Sequence, residues 1–252
     1  MNTKHLHIGL VLLFALTSLA HADLIAGYDF GTPASPTASA TTVISGVTAS
    51  NFTGAGGASG FMVQSTLGDN TGQAASGTPF GSVEAGNFSG LSPGLTEVNL
   101  TNAISANDYL SFSITADSPG TLNVDGFSID TAVASNTNNR PADQFNVLAQ
   151  VNGGTTWLAA DALTTDQTVT QIQGLREFQS LFIDLSGDAT FEQIDSVEFR
   201  IFLWGSNGLN QNISRLNVDQ IVVEGSISAI PEPSSFFVAL MSTMIVAGRR
   251  RR

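Results

Sequence analysis

The 252-residue chain contains no cysteine, and its histidines (His5, His7, His21) and its one lysine, Lys4, all lie in the first 21 residues. Beyond that point it lacks the commonest general base, a thiol nucleophile, a Schiff-base amine and the nitrogen and sulfur ligands of zinc. A Ser-His-Asp triad is excluded. Without disulfides, a fold of this composition has to rest on its apolar core. Bases are scarce as well, 9 against 21 acids over the whole chain. Between Asp23 and Ile230 only Arg140, Arg176, Arg200 and Arg215 offset 20 acids, a net charge of −16. Such a surface repels phosphate backbones, which argues against a nucleic-acid partner, and it favours solubility and attracts divalent cations.

What the chain does have is concentrated at its ends. Lys4, His5 and His7 precede an apolar run of 12 residues, Ile8 to Leu19, followed by Ala20-His21-Ala22. A weakly basic start, a short apolar stretch and a small-x-small site predict a signal peptide over residues 1–22, with signal peptidase cutting after Ala22. Twelve residues fall short of the ~20 that span a bilayer as a helix. At the other end Pro231 and Pro233 hold the backbone extended, with Glu232 presented between them. Ser234 to Gly248 then run 15 residues without a charge, and Arg249, Arg250, Arg251 and Arg252 close the chain. A helix of that length spans about 22 Å, short of the ~30 Å hydrocarbon core, and the arginines would stay on the cytoplasmic side. The physics predicts a temporary membrane anchor behind a rigid, exposed tripeptide.

The order Pro-Glu-Pro, short apolar segment, arginine cluster resembles the PEP-CTERM sorting signal of Gram-negative bacteria. Ser242 and Thr243, which interrupt the apolar segment, are a slight departure from it. The resemblance covers residues 230–252 and implies recognition by an exosortase, an integral-membrane cysteine protease. It also implies removal of the tail during export to the cell surface or beyond.

Residues 31–107 are rich in Gly, Ala, Ser, Thr and Asn, and predict loops and short strands after a first strand in "LIAGYDF". From Asp108 onward, alternation dominates. Leu110, Phe112 and Ile114 share one face, as do Phe145, Val147, Ala149 and Val151. Leu181, Ile183 and Leu185 form another such set, and Val197, Phe199, Ile201 and Leu203 the longest. Gly126 breaks the alternation as a bulge would, and Asn152-Gly153-Gly154 makes a turn. Strands every 10–15 residues without helical periodicity predict an all-β protein, a single β-sandwich of jelly-roll type over residues 23–229. The segments "ANDYLSFSIT", "LNVDGFSID", "VEFRIFLWG" and "NVDQIVVEG" are similar to the extracellular domain of many PEP-CTERM proteins of environmental bacteria, Verrucomicrobia-like lineages among them. That resemblance implies a galactose-binding-like jelly roll and assigns no activity.

Candidate functional residues are few. Trp157, Trp204 and Tyr109 could stack on sugar faces if exposed, and alternation turns Tyr109 and Trp204 away from the inward face of their strands. Large aromatics more often pack, so both uses stay open. Asp125, Asp130, Asp195, Asp219 and Glu224 are placed at or near strand ends, as solvated turn carboxylates or as ligands of a structural calcium ion. Glu192, Asp195 and Glu198 offer carboxylates for glycoside hydrolysis, which needs no histidine. Glu198 and Arg200, two apart on one strand, are better placed to pair with each other. The Asn-x-Ser/Thr sites at Asn51, Asn87, Asn99 and Asn212 mark exposed loops. Together these features predict a non-enzymatic surface or matrix protein associated with exopolysaccharide. A carbohydrate-binding module with a defined glycan site is the second reading, and a carboxylate-dependent hydrolase the third.

Overall fold

The computed structural model describes residues 22–32, 35–56, 62–64, 80–84, 99–134, 143–154, 162–169, 179–205 and 215–229. Residues 1–21, the tail from residue 230 and Trp157 lie outside the described residues, and with them the expected signal peptide and sorting signal.

The chain opens with β1 (Asp23–Tyr28), β2 (Gly31–Thr32), β3 (Ser35–Pro36), β4 (Thr42–Val43), β5 (Val47–Ala49) and β6 (Thr53–Ala55). Next come β7 (Met62–Gln64), β8 (Phe80–Glu84) and the helix α1 (Leu100–Ala106). The long strands follow: β9 (Tyr109–Ala116), β10 (Gly120–Ala134), β11 (Gln144–Val151), β12 (Gln167–Thr168), β13 (Gln179–Asp184), β14 (Ser196–Trp204) and β15 (Arg215–Ala229). One antiparallel sheet has the order β13-β10-β15-β1-β4, with β8 added to β15 and β7 to β8. The second has the order β12-β11-β14-β9-β5, with β6 also on β9. From β9 onward the chain passes back and forth between the sheets, the winding of a jelly roll. The β-sandwich expected from the alternating pattern is the observed fold.

Each inward set lands where its alternation places it. Val197, Phe199, Ile201 and Leu203 are at most 1% exposed, and Leu110, Phe112 and Ile114 at most 2%. Such side chains stabilise the fold by about 1.5–3 kcal/mol each. Phe112 and Phe199 of the second sheet and Phe127 of the first stack across the interior, with centroids 5.0–6.3 Å apart. Tyr28 packs 4.9 Å from Phe112 and donates its hydroxyl to the Ser50 carbonyl at 2.7 Å. Burial pushes that phenol well above its usual range.

Two irregularities shape the first sheet. The register of β10 against β15 shifts between Val124 and Gly126, the bulge anticipated at Gly126, and again between Ser128 and Asp130. Opposite the second shift Gln220 adopts φ 43°, the left-handed conformation of a bulged residue. Gly225 is required as glycine: its φ is 156°, and a Cβ there would overlap the Asn123 carbonyl oxygen. The predicted turn at residues 152–154 also forms. Asn152 and Gly153 both take positive φ, and Gly154 N–H donates to the Val151 carbonyl at 3.2 Å, as in a type I′ turn.

Candidate functional site

The two outer faces of the sandwich differ, and α1 is the reason. Residues 31–107, expected to hold only loops and short strands, contain this helix. Asn99 caps it by accepting from the Asn102 N–H at 3.0 Å, and Asn107 ends it in the left-handed conformation at φ 58°. Two short turns carry too few residues for a visible helical period, so the caps were the only signal. Leu100, Ala103 and Ile104 fall on one side of it. That side lies on the outer face of the second sheet, against Leu148, Phe202 and Trp204.

This packing decides the fate of the expected glycan-stacking residues. Trp204 does turn away from the sandwich interior, but it is 1% exposed beneath α1 and has no face to offer a sugar. Tyr109 is half-buried; the Arg200 guanidinium carbon sits 4.2 Å from its ring centroid, and the Phe202 ring packs 5.2 Å away. Arg200 also donates from Nε to Glu198 Oε1 at 2.8 Å, the same-strand ion pair expected from the spacing.

The carboxylates are also repositioned. Asp125 and Asp130 lie inside β10, and Asp219 and Glu224 inside β15, because both strands run 15 residues and continue past the points where turns were expected. Only Asp195, just before β14, sits at a strand end. Glu192 ends the 3-10 turn at Ala189–Phe191. Among the described residues, no group of three or more Asp, Glu or His side chains is arranged to hold a metal ion. Asn99, one of the four Asn-x-Ser/Thr positions, is the cap of α1.

The first sheet carries no such helix among the described residues. Directly opposed residues of antiparallel strands share a face. One such row crosses five strands as Phe182, Ser128, Val222, Gly27 and Thr42. At about 4.8 Å per strand it is ~19 Å long. Phe182 points outward because Leu181 and Ile183 turn in, and it is 58% exposed. Its ring extends over Gly126: a Cβ at residue 126 would stand 2.9 Å from Phe182 Cε2 and 3.0 Å from Cζ. A side chain at residue 126 would push the ring off this position. At the far end of the row an open hollow of about 200 Å3 is lined by Gly27, Thr42, Val222, Leu24, Asp29 and Gln220, among others.

Carboxylates flank this row on both sides. Asp184, Gly126, Glu224 and Leu24 form the next row in one direction, and Ser180, Asp130 and Asp219 in the other. Hydrogen bonds from the Ser186 hydroxyl and N–H, at 2.6 and 3.0 Å, hold the Asp184 carboxyl below its usual range. Asp219 goes the other way, to about 6. Partial burial dominates, reinforced by the negative charges of Asp130 opposite and of Asp29, and opposed by the Gln220 N–H that donates to its Oδ1 at 2.8 Å. Beyond Asp219 on β15, Asn217 is fully buried, and among the described residues neither its Oδ1 nor its Nδ2 has a hydrogen-bond partner. No helix among the described residues is long and apolar enough to cross a membrane.

Sequence comparison matches no family model and no curated protein. Among solved structures, the chain is similar to the mannan-recognising carbohydrate-binding module TmCBM27, with TM-score 0.38 and 8% identity over 82% of this chain and 99% of that one. It is also similar to the K1 cleaved adhesin domain of Lys-gingipain from Porphyromonas gingivalis W83, with TM-score 0.33 and 15% identity over 70% and 99% of the two chains. A third similarity is to xylanase 10C from Cellvibrio japonicus, with TM-score 0.30 and 11% identity, covering 69% of this chain and 28% of that enzyme. At these values the likenesses assign neither ligand nor activity.

Proposed function

We propose that this chain is an exported, non-enzymatic protein of the cell surface or extracellular matrix that associates with exopolysaccharide. On this reading signal peptidase removes residues 1–22. An exosortase recognises Pro231-Glu232-Pro233 and removes the apolar segment with Arg249 to Arg252. The observation that carries the proposal is the order of those three elements in residues 230–252. The acidic sandwich between the two signals would remain outside. It contains no histidine, lysine or cysteine, which leaves nucleophilic and acid–base chemistry to carboxylates and hydroxyls alone.

The test is mass spectrometry of the protein recovered from an exosortase-carrying host and from the same host without the enzyme. The expected result is a chain beginning at Asp23 and lacking the four terminal arginines only when the exosortase is present. Recovery of an intact arginine tail from the cell surface of the exosortase-carrying host would overturn the sorting half of the proposal.

A further inference from the structure

The outer face of the first sheet, which no helix covers among the described residues, has three properties together. It presents one large aromatic ring, Phe182, held against the sheet by a glycine it overlaps. It continues from that ring past Ser128 to Val222, about 10 Å away, where an open hollow lined by Val222, Gly27 and Thr42 begins. And it is bordered by carboxylates on both sides. The only base on β13, β10, β15, β1 and β4 is Arg215, four residues and roughly 13 Å along β15 from Asp219.

From this juxtaposition we infer that the face is a binding site for a glycan chain without acidic groups, one sugar ring stacking on Phe182 and the chain running along the row toward the hollow. The inference rests on the exopolysaccharide association proposed above and names its site and ligand chemistry.

Each property selects the ligand. The face of an aromatic ring is the negative part of its quadrupole and attracts the weakly positive C–H groups on the flat side of a pyranose. Isolated surface apolar residues need no ligand to explain them. Phe182 is different in that its row continues through part-exposed Val222, with Leu24 beside it at the hollow. Small residues at Ser128 and Gly27, on either side of Val222, leave room for an extended chain lying across the strands. Carboxylates accept hydrogen bonds from sugar hydroxyls, and a charged acceptor makes the stronger bond. Glu224 and Asp184 lie one row from Phe182, within reach of the hydroxyls of a stacked ring. The same charges repel uronic-acid, sulfated or phosphorylated glycans, and like-charge juxtaposition is the usual way a site rejects the wrong partner.

The experiment is calorimetric titration of the full chain with neutral hexasaccharides of β-1,4-linked glucose, mannose and xylose, and with a galacturonic-acid hexamer. At least one neutral hexamer should bind, with Kd at least tenfold lower than for the acidic hexamer. Phe182→Ala should weaken that binding at least tenfold, and Phe182→Trp should retain it. Gly126→Ala, which displaces the ring from its seat, should weaken it severalfold. Unchanged thermal unfolding of the variants separates loss of the site from loss of the fold. Neutral-glycan binding that survives Phe182→Ala would overturn the site while leaving the polysaccharide association standing. Equal or tighter binding of the acidic hexamer would overturn the ligand class. No binding by the wild type to any of the four would overturn both this inference and the association on which it rests.

Discussion

Replacing Asp219 by asparagine should stabilise the protein at pH 8 and change nothing near pH 3. The folded protein holds this carboxyl protonated up to about 6, whereas its ordinary value is 3.8. Between those two values the folded state binds more protons than the unfolded chain, so this group makes stability fall as pH rises through the interval, and the loss is complete above it. In a dry site such a displacement would correspond to about 3 kcal/mol. Asp219 is only partly buried, and solvent screening reduces that to about 1 kcal/mol. The amide of Asp219→Asn removes the charge facing Asp130 and Asp29 and still offers an Oδ1 to the Gln220 N–H. Urea unfolding of both proteins at intervals from pH 4 to pH 8 reads the difference directly. It should grow from near zero at the acid end to ~1 kcal/mol at the alkaline end, passing half its final value near pH 5, midway between the two pKa values. A variant less stable than wild type at pH 8, or a difference constant with pH, would refute the assignment of Asp219 as a strained carboxylate.

Other substitutions probe the faces of the sandwich. Trp204→Ala should cost about 3–5 kcal/mol by emptying the space between α1 and the second sheet, as measured by denaturant unfolding; a loss under 1 kcal/mol would mean the indole is not covered. Asn217→Leu should be neutral or stabilising by up to ~1 kcal/mol, since a fully buried amide without partners gives way to an apolar group of similar size. A marked loss of stability there would reveal a hydrogen-bond partner for Asn217.

Much of this fold is legible in the sequence because two-residue alternation is a strong signal when one face of a strand is buried. Leu110, Phe112 and Ile114, and Val197 through Leu203, all occupy the positions their spacing predicts. The Gly126 bulge was legible too, since a glycine inside an alternating run has little other use. The candidate site was far less so. Alternation gives the direction in which Trp204 points but not what lies above it. The covering element is seven residues long, and its signal is confined to two asparagine caps. Strand ends were misplaced at Asp130 and Asp219 because a bulge lets a strand continue where the pattern breaks. Phe182, flanked by Ser180 and Asp184 and out of phase with Leu181 and Ile183, carried an outward signal in the sequence. What could not be inferred was which sheet it joins, and that Gly126, 56 positions earlier, lies beneath its ring.

The proposed glycan site requires the outer face of the first sheet, and not that of the second, to be the accessible one. Hydroxyl-radical footprinting of the full chain, read by mass spectrometry with and without a neutral polysaccharide, tests that most directly. Phe182 should label readily, lose most of that labelling when the polysaccharide is added, and do so while Trp204 stays unlabelled throughout. Ready labelling of Trp204 that the polysaccharide suppresses, with Phe182 unaffected, would contradict the assignment of the first sheet as the open, binding face.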